Sequence, residues 1–198
     1  MTEPSEHADT GRLVVISGPS GSGKTTVCRR LLEDPGVRHS VSATTRRPRA
    51  GETDGEHYIF LERDAFEQRV QRGEFAEYAE YNGQLYGTPR GPLEQLLEQG
   101  FRVLVEIDVQ GAVQMRRLYP DATYIFLDAP AGEAMARLER RNTESAEDRR
   151  RRAEAAKRER DAAQQAHFDH TVINDDLDAT VAKIRELIAG ARPVAKNT

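Results

Sequence analysis

Apolar residues in this chain come in two alternating patterns, short unbroken runs and longer stretches in which they return every three or four positions. Leu13-Val-Val-Ile16, Val103-Leu-Val-Glu-Ile107, Thr123-Tyr-Ile-Phe-Leu127 and Thr171-Val-Ile173 are too short for helices and rich in β-branched and aromatic side chains. Apolar side chains on consecutive positions suit strands buried on both faces. A fifth such strand is expected around Val41. The helical spacing falls at residues 25–32, 91–99, 111–118, 132–141, 146–166 and 177–188. Strands alternating with helices predict an α/β fold, a parallel sheet flanked by helices, with the strand C-termini gathered on one edge.

Two segments break the rhythm. Between about residues 42 and 90, His57-Tyr-Ile-Phe-Leu61 and Phe75-Ala-Glu-Tyr-Ala-Glu-Tyr81 flank a short helical stretch at 64–72. These aromatic runs are expected to pair as antiparallel strands of a small inserted subdomain. The stretch 146–166 is almost entirely charged residues and alanine, with little apolar face to pack on a core, so about 137–160 is a candidate helical lid. Residues 1–10 and 191–198 are expected to be loose tails around one domain at 11–190.

The stretch after the first strand carries the chemistry. Gly18, Pro19, Ser20, Gly21, Ser22, Gly23, Lys24, Thr25 and Thr26 match the pattern G-x-x-x-x-G-K-[ST], between a strand and a helix as that pattern requires. Backbone N–H groups of such a loop form an anion-binding concavity at the positive end of the helix. Lys24 would reach the β- and γ-phosphates of a nucleotide, and the Thr25 hydroxyl would be a ligand of Mg²⁺.

Composition narrows the alternatives. The 198-residue chain is 31% charged with a net charge of −4, which speaks against a general nucleic-acid binder. No run reaches the roughly 18 apolar residues of a membrane span, and the first eleven residues lack the apolar centre of a signal peptide. Cys28 is the one cysteine, so no intramolecular disulfide can form; a small buried side chain in a cytoplasmic protein is the expectation.

Other groupings are weaker when taken alone. Arg46, Arg47 and Arg49 offer three guanidinium groups that could clamp a terminal phosphate or simply form a solvated basic turn. Tyr58 and Tyr86 could donate phenolic hydrogen bonds, although packing as buried tyrosines is the commoner use. Glu77 and Glu80 are expected on opposite faces of a strand, one toward a ligand and one toward solvent. Asp108 ends an apolar strand in Val105-Glu-Ile-Asp-Val-Gln-Gly111, where an acid could hold Mg²⁺ through water.

Taken together the chain resembles the guanylate kinase family over about residues 11–190. The resemblance lies in the stretch 14–26, in Ser40-Val-Ser-Ala-Thr-Thr-Arg-Arg-Pro-Arg-Ala-Gly-Glu52, in Gly55-Glu-His-Tyr58 and Tyr86-Gly-Thr88, and in Glu106-Ile-Asp-Val-Gln-Gly111 and Ile173-Asn-Asp-Asp176. It implies a P-loop kinase core with a GMP-binding insert at 42–90, a lid, and transfer of phosphate from ATP to GMP, with dGMP as a second acceptor. It implies that Arg46, Arg49, Tyr58 and Tyr86 bind the GMP phosphate. Ser42, Glu77 and Thr88 would read the guanine edge with Glu106 and Asp108 nearby, and Asn174 would lie near the adenine of ATP. Arg137, Arg141 and Arg152 are the implied lid arginines, with Arg151 an alternative to Arg152; here the lid has Arg140-Arg141-Asn142 where relatives usually show Gly-Arg-Gly. ATP and GMP would be the partners, with no obligate protein partner, as a monomer or homo-oligomer. A sugar-phosphate kinase and a non-catalytic guanylate-kinase-like binding module are the other readings; the guanine set speaks against the first and Lys24 against the second.

Overall fold

A computed structural model describes residues 11–81, 83–130, 154, 157–164 and 166–194. Five parallel strands form the main sheet in the order β2-β7-β1-β8-β9. They are β1 (Arg12–Ser17), β2 (Val37–His39), β7 (Arg102–Glu106), β8 (Thr123–Asp128) and β9 (His170–Ile173). Alternate side chains of each strand enter different cores, which is why the runs are apolar without interruption. Val14, Ile16, Leu104, Ile125 and Leu127 pack on one face against Val27, Cys28 and Leu31 of α1 (Lys24–Leu31) and Val181, Ile184 and Ile188 of α5 (Leu177–Ala189). Leu13, Val15, Val103, Val105 and Tyr124 pack on the other against Leu93 and Leu97 of α3 (Arg90–Glu98) and Ala112 and Met115 of α4 (Val109–Leu118).

The helix starts are specified locally. Asp108 caps α4 by accepting from the Gly111 N–H at 2.8 Å, and Asp176 caps α5 by accepting from Ala179 N–H at 2.8 Å. By contrast α1 begins at Gly23, in a left-handed conformation with no side-chain cap and no acidic residue in its first turn, so its leading N–H groups are left for an anion.

Residues 43–89 build a second, four-stranded sheet in the order β4-β3-β6-β5: β3 (Ala43–Thr44), β4 (Ile59–Phe60), β5 (Phe75–Tyr81) and β6 (Gln84–Pro89), with α2 (Arg63–Gln71) against it. The inserted subdomain is therefore real, but its pairing differs from the sequence expectation. The two aromatic runs lie at opposite edges of the sheet and do not pair with each other. β5 forms an antiparallel hairpin with β6, while β4 runs parallel to β3. Gln84-Leu-Tyr-Gly-Thr-Pro89 lacks the apolar alternation of a strand, yet close chain reversal makes it the nearest partner for β5. The strand expected around Val41 is also corrected. The chain pairs in the main sheet at Val37–His39, crosses over at residues 40–42, and joins the second sheet at Ala43–Thr44.

A separate apolar cluster of Ala43, Phe66, Phe75 and Leu85 holds the second sheet to α2, and Phe66 stacks on Phe75 with ring centroids 4.4 Å apart. Of the helices expected at 132–141 and 146–166, the first lies outside the described residues and the second is seen as helix at 157–164. Among the described residues no helix is long and apolar enough to cross a membrane.

Phe66 has no solvent exposure and anchors this small cluster. Phe66→Ala should lower stability by about 3–5 kcal/mol, read from urea unfolding. A loss under about 1 kcal/mol would show that the second sheet does not depend on the cluster.

Candidate active site

The loop between β1 and α1 is bent by its glycines. Gly18 has φ +152°, and a Cβ there would lie 2.0 Å from the Leu127 carbonyl oxygen, so this position excludes every side chain. Lys24 folds back over the loop, its Nζ donating to the carbonyl oxygens of Gly18 and Pro19. Asn174, at the end of β9, is buried, and its side-chain amide donates to Ser22 O at 2.7 Å. The residue expected beside an adenine thus also braces the loop from behind. Ser20, Gly21 and Gly23 are half-buried, Pro19 and Ser22 are buried, and Thr25 and Thr26 are exposed at the helix start.

At the C-terminal end of β7 the chain delivers two acids. Glu106 lies beside Ile16 in the register of β1 and β7, and its Oε1 accepts from the Thr25 hydroxyl at 2.8 Å. Asp108, two residues on, is the α4 cap already described. A hydroxyl and two carboxylates grouped here are hard oxygen donors, the chemistry that suits Mg²⁺.

The second sheet supplies the other side. Glu77 points inward and is 4% exposed, whereas Glu80 is exposed and pairs with Arg63. The expected division of the two glutamates is therefore observed. Thr88, opposite Glu77 on β6, donates its hydroxyl to Glu77 Oε1 at 2.7 Å. Burial raises the Glu77 carboxyl to about 7, opposed by the Thr88 hydroxyl and reinforced by the negative charge of Asp108. Ser42 is buried in the crossover, and its carbonyl accepts from the Ile59 N–H.

Arg46, Tyr58 and Tyr86 come together on the same subdomain. The two rings meet edge-on with centroids 6.1 Å apart, and the Arg46 guanidinium lies 5.4 Å from the Tyr58 ring centre. Glu52 grips Arg46 with both oxygens, at 2.8 and 2.9 Å, and also accepts from the Arg49 N–H at 2.7 Å. Burial first, and then the charge of Glu106, push Tyr58 up to about 12, so its hydroxyl is protonated at neutral pH. Arg49 is exposed beside this group.

Three residues here were given no role from the sequence. Glu52 fixes Arg46, and its signal was an acid six positions after an arginine in a tight turn. Arg160 makes a forked ion pair with Asp128 at the end of β8, with contacts of 2.8–3.0 Å. Glu159 is largely buried and takes a backbone hydrogen bond at Ser20, with burial raising its carboxyl above the usual range. Glu159 ties the helix at 157–164 to the phosphate loop and Arg160 ties it to the end of β8; nothing in a run of alternating charge marks them in advance. Arg137, Arg141 and Arg152, and the alternative Arg151, lie outside the described residues.

The guanylate kinase family model matches residues 10–191. Guanylate kinase of Rubrobacter xylanophilus is 47% identical over 189 residues, covering 92% of this chain and 98% of that protein. Guanylate kinase of Thermus thermophilus is 46% identical, covering 92% and 82%. The crystal structure of guanylate kinase from Anaplasma phagocytophilum superposes with a TM-score of 0.75 at 31% identity, covering 92% of this chain and 86% of that one.

The raised Glu77 carboxyl has a consequence for stability. Its folded value of about 7 lies above the ordinary 4.5, so the protonated form favours the fold. This contribution is complete below the unfolded value and is lost as pH rises through about 7. Relative to Glu77→Gln, the native protein should lose about 3 kcal/mol between about pH 4 and about pH 8. Urea unfolding of both proteins across that range measures it; parallel stability curves would show that the carboxyl is not raised.

Proposed function

The chain belongs to the guanylate kinase family and phosphorylates GMP with ATP to give GDP, and we propose that its two sheets divide the substrates between them. In this reading the loop 18–26 and Lys24 hold the ATP phosphates, and residues 42–90 hold GMP. The observation that carries it is the buried Glu77–Thr88 pair, 2.7 Å apart, with the charge of Asp108 acting on Glu77. Guanine presents two donors, N1–H and the 2-amine, beside the O6 acceptor. An ionised Glu77 meets the donors, the Thr88 hydroxyl is free to turn to O6, and Ser42 and Asp108 line the same edge.

Arg46, with Arg49, Tyr58 and Tyr86, takes the GMP phosphate. Its guanidinium is already oriented by Glu52, so little side-chain freedom is lost on binding. Release of Lys24 from the loop carbonyls lets its ammonium turn to the ATP phosphates. No covalent intermediate is needed: the groups position the two phosphates in line and neutralise charge on the migrating one. Mg²⁺ would be held by Thr25 and, through water, Asp108, with Glu106 behind the threonine hydroxyl; it would add positive charge at the transferring phosphate. Arg137, Arg141 and Arg152 would complete that neutralisation as the lid at 137–160 closes and excludes water. The cytoplasm, where both nucleotides are found, is the expected compartment.

Coupled measurement of ADP formation tests the assignment. GMP should exceed AMP in kcat/KM by roughly 10⁴-fold, because AMP offers no donor to Glu77 and leaves it unpaired. IMP, which lacks only the 2-amine, should fall between them. Glu77→Gln should lower kcat/KM for GMP by at least about 10²-fold with the KM for ATP little changed. AMP rivalling GMP, or an unaltered Glu77→Gln enzyme, would overturn the guanine reading.

Lys24→Ala should reduce turnover by at least about 10²-fold while GMP binding persists. Near-native turnover in that variant would remove Lys24 from the phosphate site. Among the lid arginines, at least one of Arg137→Ala, Arg141→Ala and Arg152→Ala should cost a comparable factor in kcat. Arg149→Ala and Arg150→Ala should cost little; equal mild losses at all five would refute the lid assignment.

A further inference from the structure

We infer that Gly111, in the first turn of α4, is a positioning residue for base selection: its missing side chain is the space that the Glu77 carboxylate occupies. The inference rests on the reading that Glu77 receives the guanine donors, and it adds what holds Glu77 in place.

The argument starts from a glycine where none is expected. Gly111 lies inside a helix and does not have a positive φ, so the backbone does not require it. Alanine there would gain about 1 kcal/mol in helix propensity. Space is the remaining reason. A Cβ at Gly111 would stand 2.5 Å from Glu77 Oε2, 3.1 Å from Glu77 Cδ and 3.3 Å from Ile107 Cβ.

Neither partner can step aside freely. The Gly111 N–H is tied to Asp108 Oδ1 at 2.8 Å, which fixes the start of the helix. Glu77 Oε1 is held by Thr88, and with 4% exposure the carboxylate has no solvent to swing into. The closest atom is nevertheless the end of a side chain, not backbone. An added methyl group therefore displaces the carboxylate before it displaces the fold. GMP engages that carboxylate through two donors and IMP through one, so displacement penalises GMP more.

The test compares native protein, Gly111→Ala, Glu77→Asp and the double variant. Steady-state kinetics are measured with GMP, IMP and ATP, and stability by thermal unfolding. Gly111→Ala should raise the KM for GMP by at least about tenfold, with kcat at saturating GMP and the KM for ATP within about twofold. The preference for GMP over IMP should shrink in parallel, a change that a loosened fold would not produce selectively. In the Glu77→Asp background the carboxylate is withdrawn by one methylene, so adding Gly111→Ala should cost less than about threefold more.

A KM for GMP and a GMP/IMP ratio within about twofold of native in Gly111→Ala would overturn the inference, as would equal losses in both backgrounds. Should Gly111→Ala fail to fold, a folded double variant supports the inference and an unfolded one refutes it. Glu77→Gln, run alongside, separates the two levels. If it abolishes guanine preference while Gly111→Ala does nothing, only the role of Gly111 falls; if it too does nothing, the guanine reading falls first.

Discussion

A carboxylate placed out of water is costly, and the region around Glu77, where no cation pairs with it among the described residues, is arranged about that cost. Among the described residues Thr88 meets it with both its hydroxyl and its backbone N–H, and the charge of Asp108 makes ionisation harder. Structural stability alone would favour an apolar residue at this position. Keeping the group buried and near its ionisation point suits the proposed site, in which a ligand brings two N–H donors. On the proposed reading this acceptor would be the specificity device: a base that lacks the donors would leave it without the partners guanine brings.

The main sheet and the insert are joined at residues 40–42 and from β6 into α3, and α4 packs on β5 of the insert. β7 ends at Glu106 and α4 begins at Val109, so one acid closes the strand and the other, Asp108, directly precedes the helix. Glu106 binds Thr25 on the phosphate-loop side, Asp108 caps α4, and Gly111 in the same turn makes room for Glu77. On the proposed reading, one strand–helix junction would thereby set the separation of the nucleotide and acceptor sites. The remaining groups are prepared in pairs: Lys24 on loop carbonyls, Arg46 on Glu52, Asn174 on Ser22. Each holds a polar or charged side chain near its expected task before any ligand arrives.

Much of this was legible in the sequence because it rests on local rules. Buried parallel strands demand unbroken apolar runs, and the phosphate loop demands glycines and a lysine at fixed spacing, so β1, β7, β8, β9 and residues 18–26 could be read directly. Glu77 and Glu80 separated correctly because strand periodicity is strict. The pairing of the insert was not legible: β6 carries Gly87 and Pro89, lacks an apolar alternation, and becomes a strand through the hairpin that presents it to β5. Val41 misled because one apolar residue between two short strands cannot say which sheet it serves. Glu52, Gly111 and Glu159 were missed. Glu52 had only its spacing from Arg46 as a signal, and the roles of Gly111 and Glu159 depend on contacts made across the fold that no spacing along the chain encodes.

Proton linkage tests the central claim most directly. Calorimetric titration of GMP in buffers of differing ionisation enthalpy, at about pH 7, counts the protons exchanged on binding. With a free carboxyl at about 7, close to half of the protein carries the proton on Glu77 before binding. Binding that requires the ionised form should then release about half a proton per GMP, over and above that from the substrate's own phosphate. Glu77→Gln, which retains only the phosphate contribution, sets the baseline. A difference of about half a proton between the two proteins is the predicted result; identical proton counts would show that Glu77 does not ionise to receive guanine.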